Sequence, residues 1–555
     1  MPRLVLRRDV IVIIMVMMTI SILALNNIAL LSYPALAQNN NIINTNKIAI
    51  TDGIASGDVT DHSAVIWSRA NAQALMHAQY DTTLSFLHAK SKTVLVDKAT
   101  DFAGHIKLYS LAPDTLYHYR VWFSSPSSIN NSKSSSSSSL LRIMTTDSMI
   151  GNFKTAPNRL SSNSNNALKP ISFVIGGDLG GQNYCKRMDT GGIHGYPIFS
   201  IMQSLSPDFF IFNGDQIYGD NTCSANGPSN VTGWTNLEGN FPSVIDNKVN
   251  WSNQTQVQDI YNKHWEYNRA DPHLQSLLRN TSMYSQADDH EVVNDYGGKW
   301  SYFTNSTEGR SGFHNLTKAG VKAFFDFSPI DRNGTESNRI YRSFHWGKDL
   351  DLFILDMHSY RSRNDLSDTP QNNKTLLGRD QLRWIEQSLL NSTAVWKVIS
   401  ADVPTTIPNC FNKQLGCDNW ATNSTSNSTF KKTFTRERSN FLKFLDDHNI
   451  KNVVTVATDV HFPTNILVED DPNHDGHKLI YYELVNGPLS AIPLKANPLD
   501  PTINATSIYQ EGKIFNFGYI KMQKEKSDDK VHLLYEVLDE NGVVRPGSNW
   551  DIPPQ

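Results

Sequence analysis

The sequence predicts a large α/β domain preceded by a small all-β domain, and three observations carry that reading. Short alternating apolar segments fill the region from Ile48 to about Pro157. After Ile171 the texture changes to strand-like apolar runs separated by longer amphipathic or polar stretches. Five of these later runs end in clusters of Asp, His, Asn and Tyr. A chain of 555 residues has the length for two or more cores.

The N-terminus carries an address. Arg3, Arg7 and Arg8 precede an apolar run from Val10 to Leu25, and Ala35-Leu36-Ala37 offers a small-residue cleavage site. Residues 1–37 read as an export signal or, if uncut, as an N-terminal membrane anchor, since the apolar run resumes at Ile28 to Leu31. Either reading puts the body outside the cytoplasm, extracellular or at the cell surface. About a dozen Asn-X-Ser/Thr sequons, among them Asn230, Asn253, Asn280, Asn333, Asn391 and Asn427, suit a glycosylated surface. Four cysteines allow Cys410 to pair with Cys417 and Cys185 with Cys223, or else remain free thiols. No Cys-X-X-Cys pair is present, which argues against a zinc ribbon. A hydrophobic fraction of 39% fits a soluble body, and a net charge of -4 gives no general attraction for nucleic acid.

In the first domain, Ala64 to Trp67, His105 to Leu108 and Leu116 to Trp122 alternate as antiparallel strands, with Leu111 to Thr115 as a turn. These predict a small β-sandwich over 47–157. Residues 124 to 139, mostly serine, form a hairpin tip or insertion, and the Asn/Ser-rich stretch 158–170 is a linker. The α/β domain then runs over 171–555. Pro197 to Ser204, Ile260 to Leu278 and Gly378 to Leu390 have helical spacing.

In an α/β sheet, ligands gather at the carboxyl ends of strands. Ile171 to Ile175 leads to Asp178; Phe209 to Phe212 leads to Gly214-Asp215-Gln216-Ile217-Tyr218; Met283 to Ala287 leads to Asp288-Asp289-His290-Glu291, with Asn294 after it. Leu352 to Leu355 leads to Asp356, then Arg361, and Val453 to Ala457 leads to Asp459-Val460-His461. Such oxygen and nitrogen donors on one rim can hold two cations about 3.5 to 4 Å apart, the geometry of phosphoryl displacement. Asp215 is the expected bridge, because Gly214 permits a sharp turn and Tyr218 can add a phenolate. Singly, each residue has an ordinary structural reading: an Asp after a strand caps a turn, Asp356-Met357-His358 caps a strand, and His461 is a satisfied core histidine. Asp288-Asp289-His290-Glu291 resists that reading, because crowded acids repel one another unless a cation relieves them.

Gly214 to Tyr218, Asp288 to Glu291 and Asp459-Val460-His461, in that order, resemble the PhoD-like branch of the calcineurin-like metallophosphoesterases. Gly53 to Asp58, Val65 to Arg69 and Leu111 to Arg120 resemble the fibronectin-III-like domain that precedes that catalytic domain. The resemblance implies a four-layered α/β/β/α metallophosphoesterase domain behind a small fibronectin-III-like β-sandwich. It implies metal ligands at Asp178, Asp215, Tyr218, Asn294, Asp459 and His461, with Asp289 and His290 in the third motif. His290 would protonate the leaving oxygen or stabilise the transition state, and Arg361 would hold a phosphate oxygen. The expected activity is that of an alkaline phosphatase on phosphate esters, with a metal-activated hydroxide attacking phosphorus. A phosphodiesterase on cell-surface polymers, phospholipids or extracellular nucleic acid is the alternative; a non-catalytic glycosylated surface binding protein is the rival from another class. The expected partner is a phosphate ester, with no intracellular nucleic acid, membrane anchoring only through the N-terminus, and a monomeric state. The family suggests iron and calcium. Its best-known members, however, carry a cysteine where this chain has Asp178, a harder donor, so zinc or manganese also fit. The lid-like C-terminal helix of some members is not evident in this sequence.

Overall fold

Strands buried on both faces pair in parallel under covering helices, because neither face can be left to water. In the computed structural model, which describes residues 47–126, 146–159, 170–188, 194–297, 309–332, 338–412, 416–423 and 431–555, two such sets form the centre. Ile171–Gly176, Phe209–Asn213 and Ser282–Gln286 lie side by side in one nine-stranded sheet, with Phe209 opposite both Phe173 and Ser282. Leu350–Ile354, Trp396–Ser400, Val453–Ala457 and Leu479–Val485 are the parallel core of a seven-stranded sheet.

The two sheets face each other through an aromatic and aliphatic layer. Phe173, Ile175, Phe209, Ile211 and Tyr284 of the first pack against Leu352, Ile354, Val398, Val454 and Val456 of the second. The opposite face of the first sheet, Val174, Phe210, Phe212 and Met283, is covered by helices Ile198–Ser204, Gln254–Arg269, Pro272–Asn280 and Gly309–Phe327. That of the second, Phe353, Ile399 and Val453, lies under Arg379–Asn391 and Thr435–Asp447. The expected α/β/β/α layering is therefore present.

The N-terminal strands make a four-stranded antiparallel sheet in the order Lys90–Val96, Ala74–Asp81, Leu116–Ser124, Met149–Lys154. Its partner layer does not stand apart. Ile50–Gly57, Ala64–Ala70 and Ala103–Leu108 extend the nine-stranded sheet, joined to Ser282–Gln286 by a parallel pairing of Gly57 with Met283. A Cβ on Gly57 would meet the carbonyl oxygens of Pro329 and Met283 at 2.5 and 2.6 Å, so the junction needs glycine. Arg269 adds a clamp, its guanidinium 5.5 Å from the Trp67 ring and 5.6 Å from that of Trp265. Ile48–Gln555 accordingly forms one compact unit.

The stretch expected as one helix from Ile260 to Leu278 is two. Gln254–Arg269 stops before Asp271, whose side chain accepts from Leu274 N, with Pro272 at the first position of the next helix. The helices Gly309–Phe327 and Thr435–Asp447 were not anticipated. Both proposed disulfides form, Cys185 to Cys223 and Cys410 to Cys417. Among the sequons, Asn280 has its amide oxygen bonded by Asn152 and its amide nitrogen bonded to Ser276 O, which makes it a structural residue. Asn333 and Asn427 lie outside the described residues, as do the N-terminal signal or anchor, nearly all of the serine-rich segment and most of the expected linker. Among the described residues no helix is long and apolar enough to cross a membrane. The chain closes on the sheet strands Val531–Asp539 and Trp550–Ile552.

Asp271 also accepts the Tyr196 backbone N–H at 2.9 Å. Asp271→Ala is therefore expected to cost about 2 kcal/mol, a lost cap plus a stranded donor, read as a lower urea midpoint at unchanged slope.

Candidate metal centre

Six parallel strands share one feature at their carboxyl ends. Those ending at Gly176, Asn213, Gln286, Ile354, Ser400 and Ala457 are each followed two residues later by an aspartate: Asp178, Asp215, Asp288, Asp356, Asp402 and Asp459. The strand ends are level within each sheet, Phe212 opposite Gly176, Asn213 opposite Gln286, Ile354 opposite Ser400. The carboxylates consequently arrive on one rim. To turn them inward, Asp178, Asp215, Asp459 and His461 adopt φ of 59°, 48°, 68° and 60°, left-handed values that residues other than glycine rarely hold. Gly214 and Gly487 make room, since a Cβ on the first would meet Asp288 Cβ at 2.5 Å and on the second Asp178 Oδ2 at 2.2 Å.

Two groups of donors share Asp215: Asp178, Asp215 and His461, and Asp215, Asp289 and His290. Within each, the donor atoms lie within 4.8 Å of one another. Two more groups flank them, Asp288 with His358 and Asp402, and Asp289 with Asp295 and Asp418. His461 places Nδ1 2.8 Å from Ile492 O, a bond that sets the proton there and turns the Nε2 lone pair toward the site. Burial pushes its pKa down to about 4, so it stays neutral. Tyr218 Oη lies 2.9 Å from that Nε2. Asp459 is tied in by its N–H, 3.2 Å from Asp178 Oδ1, while Asn409 Nδ2 donates to both its carboxylate oxygens at 3.2 and 3.0 Å.

His290 sits beside the shared aspartate, with its N–H 3.2 Å from Asp215 Oδ1 and its ring 4.1 Å from that of Tyr218. Its Nδ1 lies 2.6 Å from Asp220 Oδ1, leaving Nε2 on the Asp289 side at 3.8 Å. Burial opposes its charge, yet Asp220 and then Asp289 raise its pKa to about 10. Asn294 belongs to the same turn and donates its N–H to Asp220 Oδ2 at 3.0 Å. Arg361 is fully buried, and both terminal nitrogens bond Asp418, Nη1 to the carboxylate at 2.9 Å and Nη2 to the carbonyl.

The electrostatics demand positive charge. Burial, then repulsion from neighbouring carboxylates, pushes Asp215, Asp288 and Asp459 well above the ordinary range, and burial raises Asp178 to about 8. Asp418 and Asp220 are exceptions: burial would raise both, but Arg361 holds the first low and His290 the second. Asp178 Oδ2, Asp288 Oδ2, Asp289 Oδ1, Asp402 Oδ2 and Asp418 Oδ2 are buried without a hydrogen-bond partner. Orphaned carboxylate oxygens beside a neutral imidazole fit hard or borderline cations.

The sequence matches the family model "PhoD-like phosphatase" over residues 177–533 and "PhoD-like phosphatase, N-terminal domain" over 36–157. This chain belongs to the PhoD-like phosphatase family. It is a phosphoric ester hydrolase of the metallophosphatase type. Alkaline phosphatase D of Bacillus subtilis (strain 168) is 23% identical over 511 residues, covering 86% of this chain and 76% of the relative. The solved structure of PhoD aligns with a TM-score of 0.65 at 18% identity, over 90% of this chain and 92% of that one. A purple acid phosphatase from yellow lupin (Lupinus luteus) seeds aligns at 0.52 and 13%, over 90% and 72%.

Within this PhoD-like centre, Asp178, Asp215, Asp289, His290 and His461 of the expected residues stand in the donor groups, with Tyr218 and Asp459 bonded to them; Asn294 enters only through its backbone N–H, and Arg361, expected on a phosphate oxygen, has its terminal nitrogens on Asp418 instead. Asp356 keeps its ordinary role, its Oδ1 accepting from Ser359 N at 2.9 Å. His358 does not, because its Nε2 lies 2.8 Å from Asp288 Oδ1. Asp220, Asp295, Asp402, Asp418 and Asn409 were missed. Asp402 had a visible signal, an aspartate two residues beyond an apolar strand, and Asp220 stood two residues past Tyr218. The others come from loops with no such mark.

Exhaustive chelation is expected to lower the melting temperature, and returning a divalent cation to restore it. The stabilisation amounts to about 2.7 kcal/mol when free cation stands at 100 times its dissociation constant, and scanning calorimetry reads it.

Proposed function

We propose that this chain is an exported alkaline phosphatase that hydrolyses phosphate esters at a centre of two metal ions. The carrying observation is that Asp215 belongs to two adjoining donor groups, the position of a bridging carboxylate. In this reading Asp178, Tyr218 and His461 complete one group, while Asp289 and Asn294 serve the other, with Asp459 steadied by Asn409. Bound cations would acidify the attacking water and draw charge from the phosphoryl oxygens.

The remaining work falls to the protein. Asp220 holds the His290 imidazolium with Nε2–H facing the reaction space, where it can give a proton to the departing alkoxide. With both terminal nitrogens on Asp418, Arg361 is a positioning residue that keeps this carboxylate ionised in the rim. Export is supported by the basic and apolar N-terminus and by two disulfides.

The test is hydrolysis of nitrophenyl phosphate and bis-nitrophenyl phosphate by wild type, by Asp215→Asn and after chelation. Turnover is expected to fall by roughly 10³-fold or more in both latter cases and to return with metal only in wild type. Turnover that ignores chelation or survives Asp215→Asn overturns the reading. Asp220→Asn is expected to slow an alkyl phosphate by about 10²-fold and the nitrophenyl ester far less, because only the poor leaving group needs the proton.

A further inference from the structure

Beside the rim lies a cleft of about 540 Å³ that the reaction just described does not use. Its described lining is three prolines, three asparagines, Leu499 and the half-cystine Cys410, with no charged side chain among them. One wall is the segment Pro408–Cys410, the other Asn497–Pro501. The first wall, and the chain that leads into the second, are fastened to the turn of Asp459 and His461. From the first, Asn409 donates to the Asp459 carboxylate. From the second loop, Ile492 O holds His461 Nδ1, and Leu494 N–H donates to His461 O at 3.0 Å. Asn409 thus belongs both to the wall of the cleft and to the hydrogen bonding of Asp459, so the cleft adjoins the centre on its Asp459 side.

The lining states what that organic part can be. A group carrying its own carboxylate, phosphate or ammonium would lose water here and find no counter-charge, whereas amide side chains can pair hydroxyls and proline and leucine surfaces can cover C–H faces. We infer that this cleft is a leaving-group subsite that selects phosphate esters of uncharged, hydroxylated alcohols such as sugars or polyols. The inference rests on the hydrolase reading and names its substrate class. Discrimination arises because an unpaired charge in a neutral pocket weakens the transition state along with the ground state.

A matched pair of substrates tests it: glucose 1-phosphate and glucuronic acid 1-phosphate, which differ by one carboxylate, with methyl phosphate as an ester that leaves the cleft empty. Wild type is expected to favour the glucose ester in kcat/KM by about tenfold or more. Leu499→Trp, filling the cleft, should lower kcat/KM for the glucose ester about tenfold while sparing methyl phosphate, and Asn497→Lys should shift preference toward the glucuronate. Equal kcat/KM for the two sugar esters in wild type, or variants that change all three esters alike, would overturn the inference. If wild type turns over none of them, action on phosphomonoesters falls, and calorimetric binding of glucose 1-phosphate then decides the cleft alone: weaker binding by Leu499→Trp upholds it, unchanged binding overturns it.

Discussion

Too much negative charge in too little water is the constraint on which the rest of this structure depends. Parallel strands ending level bring backbone dipoles and side chains to one edge, and here that edge is given carboxylates from almost every strand. Unpaired, such a set would expel itself from the interior or take up protons. The donor groups are arranged for cations to complete them, and a few fixed positive groups, Arg361 on Asp418 and His290 on Asp220, offset the carboxylates at the border.

Holding the donors in place has a conformational cost as well. Left-handed backbone at Asp178, Asp215, Asp459 and His461 stores strain of order 1–3 kcal/mol at each position, and it persists only because the surroundings over-determine it. The two-sheet core supplies that rigidity. Phe209, stacked on Phe173 at 4.6 Å and close to Trp346, anchors the start of the strand that delivers Asp215. The continuous pairing from Gly57 to Met283 extends the same slab through the N-terminal strands, so those strands act as a buttress of the sheet.

Much of this was legible before the coordinates. Apolar runs ending in Asp, and the spacing of Asp459 to His461, reported the rim because strand and ligand are neighbours in sequence. What escaped were donors delivered by tertiary contact. Asp418 and Asn409 show no local pattern, and their role exists only because the paired strands Cys410–Asn412 and Gly416–Cys417 bring them to Arg361 and Asp459. His358 was hidden by proximity to Asp356, which does cap its turn while the histidine reaches Asp288. The helix break at Asp271-Pro272 was overridden by apolar periodicity that continues across it, although an Asp before a Pro is itself a start signal.

The two disulfides distribute covalent constraint unevenly over the molecule. Cys185 and Cys223 join the loop that follows Asp178 to the loop that follows Asp220, and Cys410 and Cys417 close the hairpin whose flanks, Asn409 and Asp418, are paired by a backbone hydrogen bond of 2.8 Å. Each bridge thus braces a segment that presents a donor to the rim, and neither lies in the sheet core. Covalent constraint thus falls on the loops that carry donors, while the two large sheets are held by their hydrogen-bonded ladders, so the rim and the slab answer to different chemistry.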